Sequence, residues 1–124
     1  MNYAEFMSAA VAEDARNRFS VSHSKYLAPV VMQGFYSCCN PIDVEIVYPG
    51  LGAVRFYPLE ECSSLKDDYE LLDGDFVFAT CDDDPIFLRN DEVYTSLHDF
   101  YNPEKLASSF DEFLDAYVTS VGGI

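Results

Sequence analysis

Positive charge is scarce in this chain. Its 124 residues carry seven Lys and Arg against 22 Asp and Glu, a formal net charge of −15 with a sequence pI near 4.1. Nucleic acid and anionic membrane surfaces are bound through cationic side chains, so neither is an expected partner. Long apolar runs are missing as well. No uncharged apolar stretch approaches the roughly 20 residues that a membrane-spanning helix needs. The opening segment MNYAEFMSAAVAEDARNRF has no basic start and no apolar run, and does not read as a signal peptide. The four cysteines, Cys38, Cys39, Cys62 and Cys81, sit in no CxxC frame and at no zinc-ligand spacing. Reduced thiols in a cytoplasm are the expectation. A phosphate-cradling glycine loop, GxSxG and HExxH are absent too, so no enzyme signature and no cofactor are read from the chain.

What is abundant is apolar and aromatic. A hydrophobic fraction of 49%, with 10 Phe and 9 Tyr, gives a chain of this length enough side chain for one core. A single domain over residues 1–124 follows, burying roughly two-thirds of its unfolded surface. The acidity is unevenly placed. Met1 to Leu59 holds five acids against four bases, while the remainder holds 17 acids against three. Such a half would attract a basic protein, and steering could speed that encounter roughly ten- to a thousand-fold at low salt. Solubility alone is the plainer reading of the same charge.

Hydrophobic spacing supplies the elements. Tyr3, Phe6, Met7, Ala10 and Val11 fall on one stripe of a helix from about Asn2 to Arg16. A second helix is expected from Tyr26 to Phe35, with Leu27, Val30 and Val31 inward and Gly34 near its end. The period then becomes two: Ile42, Val44, Ile46 and Tyr48 mark a strand, Pro49 to Gly52 a turn, and Ala53 to Tyr57 the returning strand. Leu59 to Asp73 reads as a short helix and a surface loop. Phe76 to Thr80 suits a central strand buried on both faces, broken by three aspartates and Pro85. Ile86-Phe87-Leu88 and Val93-Tyr94-Thr95 form a hairpin turning at Asn90-Asp91. Asn102-Pro103 is expected to open a helical turn. Ser109 and Glu112 make a capping box for a last helix that buries Phe110, Phe113, Leu114 and Tyr117. Helices, an antiparallel meander and a final helix define an α+β fold, with a mixed, largely antiparallel sheet packed by the N- and C-terminal helices.

Candidate functional residues are the carboxylates of the later segment. Asp82-Asp83-Asp84 admits three readings: a solvated acidic turn, an electrostatic contact for a partner, or ligands to Mg²⁺ or Ca²⁺. The calcium-loop spacing is absent, which disfavours the third. The pairs Glu60-Glu61, Asp67-Asp68 and Asp91-Glu92 are surface acids that would strengthen the partner reading by converging with Asp82 to Asp84. Affinity would then come from a few half-buried anchors such as Tyr57, Tyr69 or Tyr101. Cys81 with His98 could form a nucleophile and base, but neighbouring aspartates would raise the thiol pKa, so a plain buried thiol is the simpler reading. His98 could equally cap the loop before the last helix. His23, in a polar Ser-His-Ser-Lys stretch, should be exposed.

The later half also carries a resemblance. GDFVFATCDDDPIFL (Gly74 to Leu88), then Val93-Tyr94, then LASSFDEFL (Leu106 to Leu114), resembles the SUKH superfamily, which includes the yeast Smi/Knr cell-wall-synthesis regulators. Ala107, Ser109, Phe110, Phe113 and Leu114 match the family's closing helix. The first half departs from the pattern, with Cys38-Cys39-Asn40-Pro41 where an Asn-Gly is customary. The resemblance implies a binding scaffold without shared catalytic residues. It implies a cytoplasmic immunity-type protein that neutralises a toxin, often a basic nuclease, by stoichiometric binding. The alternatives are a general interaction or regulatory module of the same fold and, more remotely, a metal-dependent hydrolase using Asp82 to Asp84.

Overall fold

A seven-stranded antiparallel sheet, its strands neighbouring one another in chain order, sets the architecture of the computed structural model, which describes residues 3–122. The chain runs through α1 (Tyr3–Glu13), β1 (Arg18–Ser20), a 3-10 turn (Lys25–Leu27), α2 (Val30–Cys39), β2 (Asn40–Tyr48), β3 (Gly52–Phe56) and α3 (Leu59–Lys66). It continues through β4 (Phe76–Cys81), β5 (Asp84–Arg89), β6 (Glu92–Thr95), β7 (Glu104–Ala107) and α4 (Phe110–Gly122). The α+β expectation holds.

Register decides which side chains meet. Val44, Phe56, Ala79 and Ile86 lie opposite one another across four strands, and Leu88, Val93 and Ala107 across three. All are buried and join one core cluster under the helices. Phe6 of α1 is its hub, with ring centroids 5.4 Å from Phe56, 5.8 Å from Tyr117, and 5.9 Å from both Phe19 and Phe35. From α4, Phe110 meets Phe78 and Phe35, while Phe113 stacks on Tyr48 at 4.4 Å. Edge-to-face contacts dominate, as ring quadrupoles favour.

Polar clamps close this layer. Glu13, the last residue of α1, accepts hydrogen bonds from the Val47 amide (2.9 Å) and the Tyr117 hydroxyl (3.0 Å), tying α1 to β2 and α4. Buried Asn17 donates to the carbonyls of Ala10 and Glu45 and accepts from the Glu45 amide. Neither clamp has a sequence signal, since both join residues far apart in the chain.

The second helix differs from expectation in start and face. Pro29 disfavours helical backbone at Ala28, which is extended (φ −94°, ψ 154°), so α2 starts only at Val30. The stripe that wins burial is Met32, Phe35, Tyr36 and Cys39, and Gly34 falls mid-helix. Leu27, Val30 and Val31, expected inward, are instead 67%, 82% and 42% exposed. Two aromatic rings outweigh three aliphatic side chains in apolar area, which settles the competition.

Smaller differences follow the same logic. α1 ends at Glu13, short of Arg16, and Val11 is exposed; Asn2, its expected first residue, lies outside the described residues. Ile42 is exposed because β2 pairs with β1 across an irregularity, and regular alternation begins only at Val44. Asn102-Pro103 opens no helical turn; β7 begins at the next residue, Glu104. The aspartate run does not simply break the sheet. Asp82 and Asp83 form a two-residue turn with φ of 50° and 69°, and Asp84 already pairs with Cys81. Asn90 and Asp91 repeat that device (φ 52° and 62°), matching the primed turns that tight hairpins prefer. The last helix is capped much as expected: the Glu112 amide donates to Ser109 Oγ at 3.0 Å, while the Glu112 carboxylate turns back to the Ser108 amide at 3.1 Å.

Candidate partner-binding groove

The face of the sheet away from α1 and α4 carries different residues. Register places Glu45, Arg55, Thr80 and Pro85 in one row and Phe87, Tyr94 and Lys105 in another. Phe87 stacks on Tyr94, and the Arg89 guanidinium lies 5.1 Å and 5.8 Å from those two rings. Arg89 also grips Asp75 through Nε (2.8 Å) and Nη2 (2.6 Å), and donates to the Tyr101 hydroxyl at 2.9 Å. The carboxylate bond to Asp75 pushes the Arg89 pKa further above its ordinary value. One arginine thereby fastens both crossing loops, 67–75 and 96–103, to the sheet.

Between those loops, above Pro85, lies a cavity of ≈290 Å³. Asp68, Glu70 and Asp99 line it together with Tyr69, Phe100 and Tyr101. Asp68 continues into a second hollow of ≈310 Å³ containing Tyr57 and Glu61. Ser96 and Leu97 also border a third, of ≈280 Å³, lined by Asp82, Asp84 and Glu104 at the end of the sheet. Among the described residues, no lysine or arginine lines any of the three hollows, and the first, between the two loops, is the candidate groove.

The candidate carboxylates divide accordingly. Asp68 lines the groove, whereas Glu61 lines the second hollow and Asp82 and Asp84 the third, so the expected convergence is partial. Asp83 lines none of the three; its main-chain carbonyl accepts the Tyr69 hydroxyl at 2.8 Å. Asp67 is exposed at the C-terminal cap of α3 and lines none of the three hollows. Glu60 faces elsewhere: it accepts from Ser22 Oγ (2.9 Å) and Asn40 Nδ2 (3.2 Å), and a bond from its own backbone amide, then these two, hold its pKa below the ordinary value. Glu92 pairs with Lys105 at 2.7 Å on β6 and β7. Tyr69 and Tyr101 line the groove, and Tyr57 lines the second hollow, braced by Thr80 Oγ1 at 2.9 Å. Phe100, which no sequence signal marks, is 68% exposed beside Tyr69 and Tyr101.

Asp84 is occupied locally. Its Oδ1 accepts the His98 amide (2.9 Å) and meets His98 Nδ1 (2.8 Å). That bond raises the His98 pKa, with the charges of Asp99, Asp84 and Asp83 adding to it. His98 thus fastens loop 96–103 to β5. Cys81 is buried with its Sγ directed to the Leu51 carbonyl at 3.6 Å, and burial, then Asp82 and Asp84, push its pKa up. No group of three or more His, Cys, Asp and Glu side chains is placed to hold a metal ion among the described residues. No helix among them is long and apolar enough to cross a membrane. Compared with protein-family models, curated proteins and solved structures, the chain shows no match.

Proposed function

We propose that this protein is an immunity-type inhibitor of SUKH-like kind, acting in the cytoplasm by stoichiometric binding to a basic toxin domain. The observation that carries the reading is the groove between loops 67–75 and 96–103. Its carboxylates converge without a neutralising lysine or arginine, and Tyr69, Phe100 and Tyr101 stand among them. Acids of this kind steer a cationic partner and fix its register, while the aromatics supply contact area at low entropic cost. The division suits an inhibitor that must find its toxin quickly and then hold it.

Co-expression with a toxin encoded beside the gene tests the proposal. Protection of the cells, and a one-to-one complex of the purified proteins, are the expected results. Replacing Asp68 and Asp99 together by lysine should slow association roughly tenfold at low salt and much less at high salt. Failure to bind any neighbouring gene product would sink the reading. A general interaction module is the second reading, favoured by a separate observation: Tyr26, Leu27 and Val30, close together in the N-terminal half of the chain, are exposed apolar side chains. It expects stable association with housekeeping proteins in a pull-down and no dependence on Asp68 and Asp99.

A further inference from the structure

Cys38 and Cys39 close α2, and they are adjacent in sequence. Successive residues of a helix point about 100° apart, so neighbouring side chains ordinarily diverge. Here the two sulfurs approach to 3.1 Å. Their surroundings are opposite. Cys38 is exposed, with its Sγ 3.4 Å from the Gly34 carbonyl. Cys39 is wholly buried, and burial pushes its pKa up to about 12. The remaining cysteines are buried with partners of their own: Cys62 at the Tyr36 hydroxyl and Pro58 carbonyl, Cys81 at the Leu51 carbonyl.

We propose that Cys38 and Cys39 form a thiol–disulfide exchange site for small disulfides of the glutathione type. Accessibility assigns the order of events. The Cys38 thiolate attacks one sulfur of the small disulfide, that S–S bond breaks, and the first small thiolate leaves. The Cys39 proton passes to the small thiolate released beside it, and Cys39 attacks the Cys38 sulfur, expelling the second small thiolate. Two protein thiols are oxidised to one disulfide, and one small disulfide is reduced to two thiols. No external reagent can reach Cys39 directly, so the buried sulfur serves only as the resolving group.

The resulting bond is reversible by construction. Adjacent Cα atoms are about 3.8 Å apart across a trans peptide, below the roughly 4.4 Å at which ordinary disulfides begin. Strain of that kind makes a disulfide readily reduced. The rearrangement also has a route outward. Asn40, the next residue, accepts the Leu59 amide at 2.9 Å and donates to Glu60, so bending the end of α2 pulls on the start of α3.

The test uses the full chain, reduced and then incubated with glutathione disulfide under native conditions. After acid quenching, the tryptic peptide Tyr26 to Arg55 should be about 2 Da lighter, with no glutathione retained, and dithiothreitol should restore its mass. Cys39→Ala should hold one glutathione on Cys38, and Cys38→Ala should stay unmodified, circular dichroism confirming that both variants are folded. The wild-type result decides even where a variant fails to fold. A glutathione persisting on wild-type Cys38, a dimer linked through Cys38, or no reaction at all would overturn the proposal.

Discussion

The two faces of the sheet solve different problems with the same residue types. Under the helices, aromatic rings lock one another: Phe6, Phe35, Phe56, Phe110 and Phe113 are buried, and each touches at least two other rings. Across the sheet, aromatics stand at the rim of an acidic groove, and a single arginine holds down the loops that present them. Stability resides in the first face, and display in the second. The acids teach the same lesson at smaller scale, since Glu60 is consumed by structure while Asp68 is left facing the groove.

The sharpest way to break this contrast is a pair of truncations. Phe6→Ala should cost about 4 kcal/mol in urea unfolding, because it removes a fully buried ring from the centre of the cluster. Phe100→Ala should change stability by less than about 0.5 kcal/mol. Equal costs would abolish the division of labour.

Next in size is Arg89→Met, which strands the Asp75 carboxylate, only 1% exposed, without its cation. A loss of about 3 kcal/mol is expected, together with early hydrogen exchange in loops 67–75 and 96–103. Loss of stability without loosening of the loops would deny Arg89 its fastening role.

Asn40→Ala comes third. It leaves the first amide of α3 without its side-chain acceptor, and should cost about 1 to 2 kcal/mol by thermal or denaturant unfolding. No measurable cost would mean that Glu60 and Leu59 are held without Asn40.

The smallest effect concerns pH. His98 is raised from its ordinary 6.5 when folded, so its protonated form favours the native loop. That contribution is complete below the unfolded value and fades as pH climbs through the folded one. NMR titration should find the His98 midpoint above 6.5, and Asp84→Asn should return it toward that value. An unchanged midpoint in the variant would remove Asp84 as the cause.

Much of the fold was legible where a local signal carried it. The period-two pattern of Val44, Ile46 and Tyr48, the apolar run from Phe76, the Asn90-Asp91 turn and the Ser109 cap each encode an element within a few residues. β1 and β7 were not legible. They are short edge strands of three and four residues, existing because β2 and β6 offer unpaired backbone. For the groove, the sequence supplied the acids and the tyrosines but not their division. The environments of Glu60 and Asp68 depend on how loops cross the sheet, and Phe100 had no spacing signal to set it apart.

By itself the sequence determined class, charge and most of the sheet, because turn chemistry and side-chain period act between near neighbours. Only tertiary structure decided the face of α2, where Met32, Phe35 and Tyr36 displaced Leu27, Val30 and Val31 from the interior. Only it set Asp68, Glu70 and Asp99 from two loops around one groove and left Glu61, Asp82 and Asp84 at separate hollows. Both outcomes are competitions for limited buried space, and such competitions are settled by summed area and by pairing across long stretches of chain, not by any local run of residues.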